Sequence, residues 1–210
     1  MERTLVLIKP DAIIRSHCGV AMMKALRELP DSEILCFKHV VVPEALARLH
    51  YAEHEGKPFF PGLLRMITAP CGVGVFIIEG KDIAHRVRVL IGPTNVTNAR
   101  ATAPNTLRGT YGTFAGLNTA HASDCPISGR RETGLWISAM DLTLDKDLAN
   151  KEMDKFIEKH KDVPFTDGKV AKLALKVREA NDELRKAIAE ETDHSPEDIE
   201  YLMKLIDNLL

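Results

Sequence analysis

Cysteine is scarce in this chain, and its four cysteines lie far apart. Cys18, Cys36, Cys71 and Cys125 are separated by 18, 35 and 54 positions, and no C-x-x-C pair occurs. Zinc sites and disulfide frameworks are both recognised by closely spaced cysteines. Neither is indicated here, and reduced thiols in the cytoplasm are the simpler expectation.

An excess of one charge and a long hydrophobic run are also lacking. The 28 basic and 30 acidic residues give a net charge of −2, so nucleic acid or an anionic membrane is not attracted overall, and any anion site must be built locally. The apolar run near the N-terminus, from Leu5 to Ile8, is too short for a signal peptide or a membrane span. We expect a soluble, cytoplasmic protein with no nucleic-acid or membrane partner.

Two common nucleotide-binding motifs are missing. The chain has no G-x-x-x-x-G-K-[ST], which excludes a P-loop, and "GVGV" at 72–75 lacks the third glycine of the dinucleotide fingerprint. Neither motif supports a prediction.

Over the first 140 residues, apolar runs alternate with stretches of helical periodicity. We predict strands at 3–9, 33–42, 72–80 and near 121–125, and helices at 17–30, 43–56, 61–69, 82–92 and 129–140. Periodicity fails from residue 93 to residue 119, which predicts a loop of 27 residues that is functional or disordered. The order of elements alone permits a parallel α/β sheet or an antiparallel α+β sandwich.

The character of the chain changes after residue 140, where charged, helix-forming residues replace strand-like runs. We predict two domains, residues 1–140 and a helical extension over 141–210. In the extension, apolar side chains recur at spacings of three and four: Val170, Leu173, Val177, Ala180, Leu184 and Ala187. The repeat is short, which favours packing on the same chain over a coiled coil. Ser195 and Asp198 outline a capping box for a second helix.

Polar and charged side chains stand at the ends of the predicted elements of the first domain. They are Lys9, Tyr51, Arg88, Thr94 and Arg108, together with Phe59 in a polar loop. The stretch "GLNTAHASDC" at 116–125 adds Asn118, His121, Ser123 and Asp124. A turn explains its Asn, Ser and Asp but not its His. Singly, each of these residues is more often structural than catalytic.

Together these residues suggest phosphoryl transfer. Two arginines and a lysine match phosphate oxygens, and a histidine that is largely neutral at pH 7 supplies a nitrogen nucleophile. Phosphoryl transfer needs little from a protein beyond positioning and cationic stabilisation. Acyl transfer fits less well because Ser123 lies only two residues from His121, whereas serine triads take their members from separate segments.

Six motifs now resemble those of the nucleoside diphosphate kinase family. They are "RTLVLIKPDA", "YAEHEGKPFF", "VRVLIGPTN", "TLRGTYG", "NTAHASD" and "ETGLW", in this order over about residues 2–137. The Asn-x-x-His-x-Ser-Asp signature is highly specific. The resemblance implies a ferredoxin-like α/β sandwich with a four-stranded antiparallel sheet.

The resemblance also implies a role for each matching position. His121 matches the histidine that carries the phosphate from a nucleoside triphosphate to a diphosphate in a ping-pong reaction, and Glu132 the carboxylate that holds its other ring nitrogen. Lys9 and Asn118 match residues that contact the sugar 3′-hydroxyl, the lysine also reaching the phosphates. The other counterparts are the phosphate clamp (Arg88, Thr94, Arg108), the tyrosine beside the histidine (Tyr51), the base-stacking ring (Phe59) and the rest of the signature (Ser123, Asp124). Mg²⁺ would arrive on the nucleotide phosphates, with no metal ligands from the protein.

Three departures from the family pattern bear on these expectations. Ala122 stands where the family usually has Gly, the 94–108 loop is about three residues longer than the short form, and the extension has no counterpart in short enzymes. The loop contributes to subunit contacts in the family, so a homo-oligomer, hexamer or tetramer, is expected without a choice between them. The alternatives to an active kinase are a nucleotide-binding or scaffold module with weak catalysis, and a histidine phosphodonor for proteins.

Overall fold

The computed structural model describes residues 1–113, 117–163, 169–191 and 193–209. The chain divides into two compact units, residues 1–167 and 168–210. The domain boundary predicted at residue 140 remains a prediction, and the first compact unit runs beyond it. No helix among the described residues is long and apolar enough to cross a lipid bilayer.

A four-stranded antiparallel sheet forms the centre of the first unit. Its strands are β1 (Glu2–Ile8), β2 (Ser32–Val40), β3 (Val73–Gly80) and β4 (Ala120–Ala122), in the order β2-β3-β1-β4. β1 pairs antiparallel with both β3 and β4, and β2 pairs antiparallel with β3. The antiparallel α+β sandwich is therefore confirmed, and the parallel alternative is excluded.

Helices cover both faces of this sheet. They are α1 (Pro10–Ile14), α2 (Ser16–Arg27), α3 (Glu44–His50), α4 (Phe60–Ile67), α5 (Ile83–Ile91), α6 (Val96–Thr102), α7 (Leu107–Tyr111), α8 (Pro126–Met140) and α9 (Lys146–Lys159). A 3₁₀ turn, Ala52–His54, follows α3. The helix predicted at 43–56 is thus interrupted at Tyr51, whose backbone dihedrals are not helical.

The alternation of side chains along the central strands creates two hydrophobic layers. Val6 and Ile8 of β1 face the layer that includes Met22 of α2 and Met153 of α9. Leu5 and Leu7 face the opposite layer, which includes Leu46 of α3, Leu64 of α4 and Trp136 of α8. All four β1 side chains are fully buried. Because β1 is buried between the two layers, it gives a fixed position to the residue that follows it, Lys9.

The predicted long loop was wrong in part, because it contains two short helices. α6 begins where the Asn95 side chain accepts a hydrogen bond from the backbone N–H of Asn98, and α7 where Thr106 accepts one from Gly109. These helices have seven and five residues, too few to show a hydrophobic period. Residues 114–116 of the predicted loop lie outside the described residues.

The second unit contains α10 (Lys169–Glu190) and α11 (Pro196–Leu209). The capping box predicted for α11 is present, since Ser195 Oγ accepts from the N–H of Asp198 while Asp198 Oδ2 accepts from the N–H of Ser195. Arg185 of α10 bonds to Glu200 of α11. The apolar stripe of α10 is exposed on this unit. The packing on the same chain that we predicted for it remains a prediction.

Candidate active site

A cavity of about 710 Å³ opens at the end of β1 and β4. Nine residues predicted to form a site all line it: Lys9, Tyr51, Phe59, Arg88, Thr94, Arg108, Asn118, His121 and Glu132. These residues are far apart in sequence, because the first is Lys9 and the last is Glu132. The fold therefore brings the whole predicted set to one place.

β4 presents His121 to this cavity. The strand has only three residues and pairs with the end of β1, with His121 opposite Leu7. Thr119, the residue before β4, has a φ of 71°, an unfavourable conformation for a β-branched residue. The Asp11 carboxylate accepts the Thr119 N–H at 3.1 Å, and Thr119 accepts the Lys9 N–H at 2.8 Å. These two bonds hold the strained turn that leads into the histidine.

Glu132 of α8 binds one ring nitrogen of His121. Its Oε2 atom lies 2.8 Å from His121 Nε2 and accepts a hydrogen bond from Ser123 Oγ at the same distance. Burial would raise the pKa of this carboxyl, but the bonds from His121 and Ser123 and the charge of Arg131 hold it below its usual value. An ionised Glu132 favours a proton on Nε2, which leaves Nδ1 with a free electron pair.

The second ring nitrogen of His121, Nδ1, is left available in a side chain that lines the cavity. Among the described residues it has no hydrogen-bond partner, and the side chain keeps 18% of its surface exposed. Tyr51 packs edge-on to the imidazole at 6.0 Å between ring centroids, and burial raises the pKa of its hydroxyl. Tyr51 therefore forms a neutral wall of the cavity beside the imidazole of His121.

Sequence reasoning missed His50, which is part of this wall. Its ring meets that of His121 edge-on at a centroid distance of 4.5 Å, and its Nδ1 atom accepts a hydrogen bond from Trp136 Nε1 at 3.2 Å. Burial, and then the charges of His121 and Arg131, lower its pKa to about 2. His50 is therefore neutral, with its proton on Nε2. His50 is the last residue of α3, and nothing in the sequence around it indicated a contact with His121.

Lys9 and Asn118 are joined at the floor of the cavity. Lys9 Nζ donates to Asn118 Oδ1 at 2.9 Å, and Asn118 Nδ2 donates to the carbonyl of Thr94 at 3.0 Å. Burial lowers the pKa of Lys9 to about 8, an effect that the charge of Asp11 opposes and that of Arg108 reinforces. An anion bound beside Lys9 would favour its protonated form, because an opposite charge nearby offsets the cost of burying the ammonium.

In the described part of the chain, the guanidinium of Arg108 in α7 is held by backbone carbonyls. Its guanidinium donates to Asn118 at 3.1 Å, to Gly92 at 2.7 Å and to Ala120 at 2.6 Å. No carboxylate neutralises it in these bonds, and burial lowers its pKa to about 10. Each terminal nitrogen keeps a second N–H, so the charge is positioned and still able to bind an oxyanion.

Arg88 and Phe59 stand nearer the mouth of the cavity. Arg88 of α5 pairs with the Asp124 carboxylate, which is 72% exposed. Phe59, at the start of α4, exposes 55% of its surface and contacts the ring of His54 edge-on. A large exposed ring on a cavity wall offers a stacking surface.

His50, His121 and Glu132 are also a possible metal-ligating set, with one ligand atom from each within 4.8 Å of the others. Two imidazoles and one carboxylate suit zinc or copper, whereas Mg²⁺ requires oxygen ligands. The set does not fit Mg²⁺.

Comparison with known proteins decides the family. The model of the family described as nucleoside diphosphate kinase matches residues 2–142. The nucleoside diphosphate kinase of Chloroflexus aggregans is 41% identical over 158 residues, which are 75% of this chain and 99% of that protein. This chain belongs to the nucleoside diphosphate kinase family.

Solved nucleoside diphosphate kinases have the same fold. The Aquifex aeolicus enzyme is 34% identical, with a TM-score of 0.61 over 68% of this chain and 99% of its own. The Halobacterium salinarum enzyme, solved in complex with CDP, is 37% identical, with a TM-score of 0.60 over 68% of this chain and 91% of its own.

One departure from the usual kinase signature is easily accommodated. Ala122 lies in β4 opposite Val6, and it is not among the described residues with a positive φ. An alanine therefore meets no backbone strain at this position.

Proposed function

We propose that the protein transfers the terminal phosphate of a nucleoside triphosphate to a nucleoside diphosphate through a phosphohistidine at His121. The observation that carries this proposal is the hydrogen bond from His121 Nε2 to Glu132, which leaves Nδ1 available on a histidine that lines the same cavity as Lys9, Arg88 and Arg108. The family membership of the chain supports the same reaction.

The first half-reaction follows from this arrangement. The Nδ1 electron pair attacks the γ-phosphorus, the N–P bond forms, and the bond to the bridging oxygen breaks, so that a nucleoside diphosphate leaves. The ring becomes cationic in this step, and the ionised Glu132 stabilises its Nε2–H. In the second half-reaction a terminal phosphate oxygen of another diphosphate attacks the same phosphorus, the O–P bond forms, and the N–P bond breaks. Its electron pair returns to Nδ1, which restores neutral His121 and releases a nucleoside triphosphate.

The cations of the cavity supply the electrostatic part of catalysis. Lys9, Arg88 and Arg108 bind phosphate oxygens in this proposal, with Thr94 as a neutral donor. Charge on the equatorial oxygens is the main thing that a protein must stabilise in phosphoryl transfer. Arg88 would exchange its exposed partner Asp124 for phosphate, whereas Arg108 is already held by carbonyls.

Phe59 and Asn118 bind the nucleoside. The exposed ring of Phe59 stacks on the base, and Asn118, together with Lys9, contacts the sugar 3′-hydroxyl. Stacking tolerates every base because each has a π face, so the enzyme accepts purine and pyrimidine nucleotides. The Halobacterium salinarum relative was solved in complex with CDP, which supports a nucleotide as a ligand of this chain.

Mg²⁺ enters with the nucleotide in this proposal. The donor set of the protein favours this arrangement, because the cavity wall around the clamp is cationic and its nitrogen-rich cluster does not suit Mg²⁺. When bound, the ion neutralises phosphate charge. The protein itself orients the phosphates through Arg88 and Arg108. We further propose that the protein works in the cytoplasm as a homo-oligomer, a hexamer or a tetramer.

Intact-protein mass spectrometry after brief mixing with ATP and Mg²⁺ tests the function. We expect a gain of one phosphate that acid removes and that GDP discharges, with formation of GTP. His121→Ala should abolish the gain, whereas His85→Ala, in α5 outside this cavity, should keep it. An unlabelled wild-type protein would favour a binding module, and a labelled protein that GDP does not discharge would favour a phosphodonor to proteins.

A further inference from the structure

Within the second compact unit, an apolar stripe along α10 is exposed. Val170, Leu173, Val177 and Leu184 are 39–61% exposed, and the alanines at 180 and 187 continue their spacing and are also exposed. The half-buried residues of α10, which include Leu175 and Ile188, lie elsewhere on the helix. A stripe of this length on a charged helix costs free energy in water unless another surface covers it.

The spacing of the stripe is that of a coiled-coil seam. With Val170, Val177 and Leu184 at heptad position a, positions d are filled by Leu173, Ala180 and Ala187. In an antiparallel pair of identical helices, each a side chain faces a d side chain of the partner. The layers would be Val170 with Ala187, Leu173 with Leu184, and Val177 with Ala180, each formed twice about a two-fold axis. Every layer is apolar, and the central one combines a large with a small residue.

The charges beside the seam select this orientation. The g positions are Lys169 and Lys176 in the first half of α10 and Glu183 and Glu190 in the second half. In an antiparallel pair g faces g, which brings Lys176 to Glu183 and Lys169 to Glu190 of the other copy. Among the described residues, none of these four side chains forms an ion pair, whereas Arg185 of the same helix pairs with Glu200.

We propose that α10 is a self-association surface, which pairs with α10 of a second copy of this chain in an antiparallel, two-fold coiled coil. Identical surfaces that complement themselves produce closed two-fold interfaces. A second copy fits better than an unrelated partner because the lysine-to-glutamate order along α10 is complementary to its own reverse. The inference concerns the second compact unit and does not depend on the catalytic proposal.

Cysteine cross-linking in the full-length protein tests both the contact and its direction. The background carries Cys71→Ser and Cys125→Ser, because these are the native cysteines that are not buried. Val177→Cys and Ala180→Cys, expressed separately and co-expressed, are then oxidised mildly. We expect a disulfide-linked dimer mainly from the co-expressed pair, because the antiparallel register places residue 177 opposite residue 180. Equal cross-linking of Val177→Cys alone would indicate a parallel pair and overturn the proposal, as would no cross-link at all.

Charge reversal gives a second, independent test. Lys176→Glu and Glu183→Lys should each weaken the pairing about tenfold, because each change turns two symmetric attractions into repulsions. The double variant should restore the cross-linking yield. Lys172→Glu, the same change at an exposed position outside the seam, is the matched control and should have little effect. Failure of the double variant to recover would contradict the pairing of these charges. Circular dichroism of each variant checks that the helix content is unchanged.

Discussion

Trp136 donates its indole N–H to Nδ1 of His50 at 3.2 Å, although the two residues lie 86 positions apart. This bond fixes the tautomer of a neutral histidine whose ring contacts the imidazole of His121 edge-on. We expect His50 to position the imidazole of His121, because the two rings are in contact.

We expect Trp136→Phe to lower the free energy of unfolding by about 2–4 kcal/mol, because it leaves a buried acceptor unsatisfied and a cavity behind. Urea unfolding followed by far-UV circular dichroism measures this loss, since the variant removes the chain's one tryptophan. A double-mutant cycle with His50→Phe separates the hydrogen bond from the cavity. Strict additivity of the two changes would show that the bond contributes nothing.

Glu132→Gln tests the role of the carboxylate. The variant keeps the shape of the side chain but removes the charge that stabilises the Nε2–H of His121 during phosphorylation. We expect the single-turnover rate of His121 phosphorylation to fall on the order of 100-fold, because the cationic ring that forms loses its counter-charge. Glu79→Gln, the same change on β3 where the carboxylate pairs with Arg3, should leave the rate unchanged. Equal losses in both variants would contradict a specific role for Glu132.

The strands and the site could be predicted because their signals are local or specific. β1 and β3 each contain a continuous apolar run, and the predicted ranges 3–9 and 72–80 differ from the observed strands by no more than one residue at either end. The residues of the signature around His121 were found from their types and spacing. Antiparallel pairing was not available from element order, and it came from the family resemblance.

The features that sequence missed depend on side chains meeting across the fold. α6 and α7 are stabilised at their starts by single caps, Asn95 and Thr106, on helices too short to show a period. His50 resembles any other residue at the end of an amphipathic helix until Trp136 is placed beside it. Arg108 was expected as part of a phosphate clamp, but the three carbonyls that hold it become neighbours only when β4 and α7 are assembled.

The pKa of Lys9 predicts a loss of nucleotide affinity in mild alkali. Its pKa of about 8 means that the ammonium is charged below that pH and neutral above it. The dissociation constant of ADP should therefore rise as the pH increases through 8, and isothermal titration calorimetry from pH 6.5 to 9.5 measures it. Lys9→Met should bind weakly throughout and lack this rise. A parallel rise in the variant would assign the pH dependence to another group.

The same group makes an opposite prediction for stability. Because the folded-state pKa of Lys9 lies near 8 and its ordinary value is 10.5, the unfolded chain binds more protons between these two values. The free energy of unfolding contributed by this group must therefore rise with pH across that window. The difference between wild type and Lys9→Met in urea unfolding at pH 7.5 and pH 10 isolates it. We expect the free energy of unfolding of wild type minus that of Lys9→Met to increase from pH 7.5 to pH 10. A value of this difference that decreases or stays constant would show that the lysine is not buried as described.

Phe59→Ala tests base stacking. Removal of the ring should raise KM about 5- to 10-fold, because stacking on an aromatic side chain is worth about 1 kcal/mol or more per base. The rise should be similar for ADP, GDP and CDP, and kcat should change little, since stacking binds substrate and transition state alike. Val41→Ala is a matched control, because Val41 is 56% exposed and does not line the cavity. A rise confined to purine nucleotides would mean that Phe59 discriminates between bases, and the tolerance that we propose for the enzyme would then need another explanation.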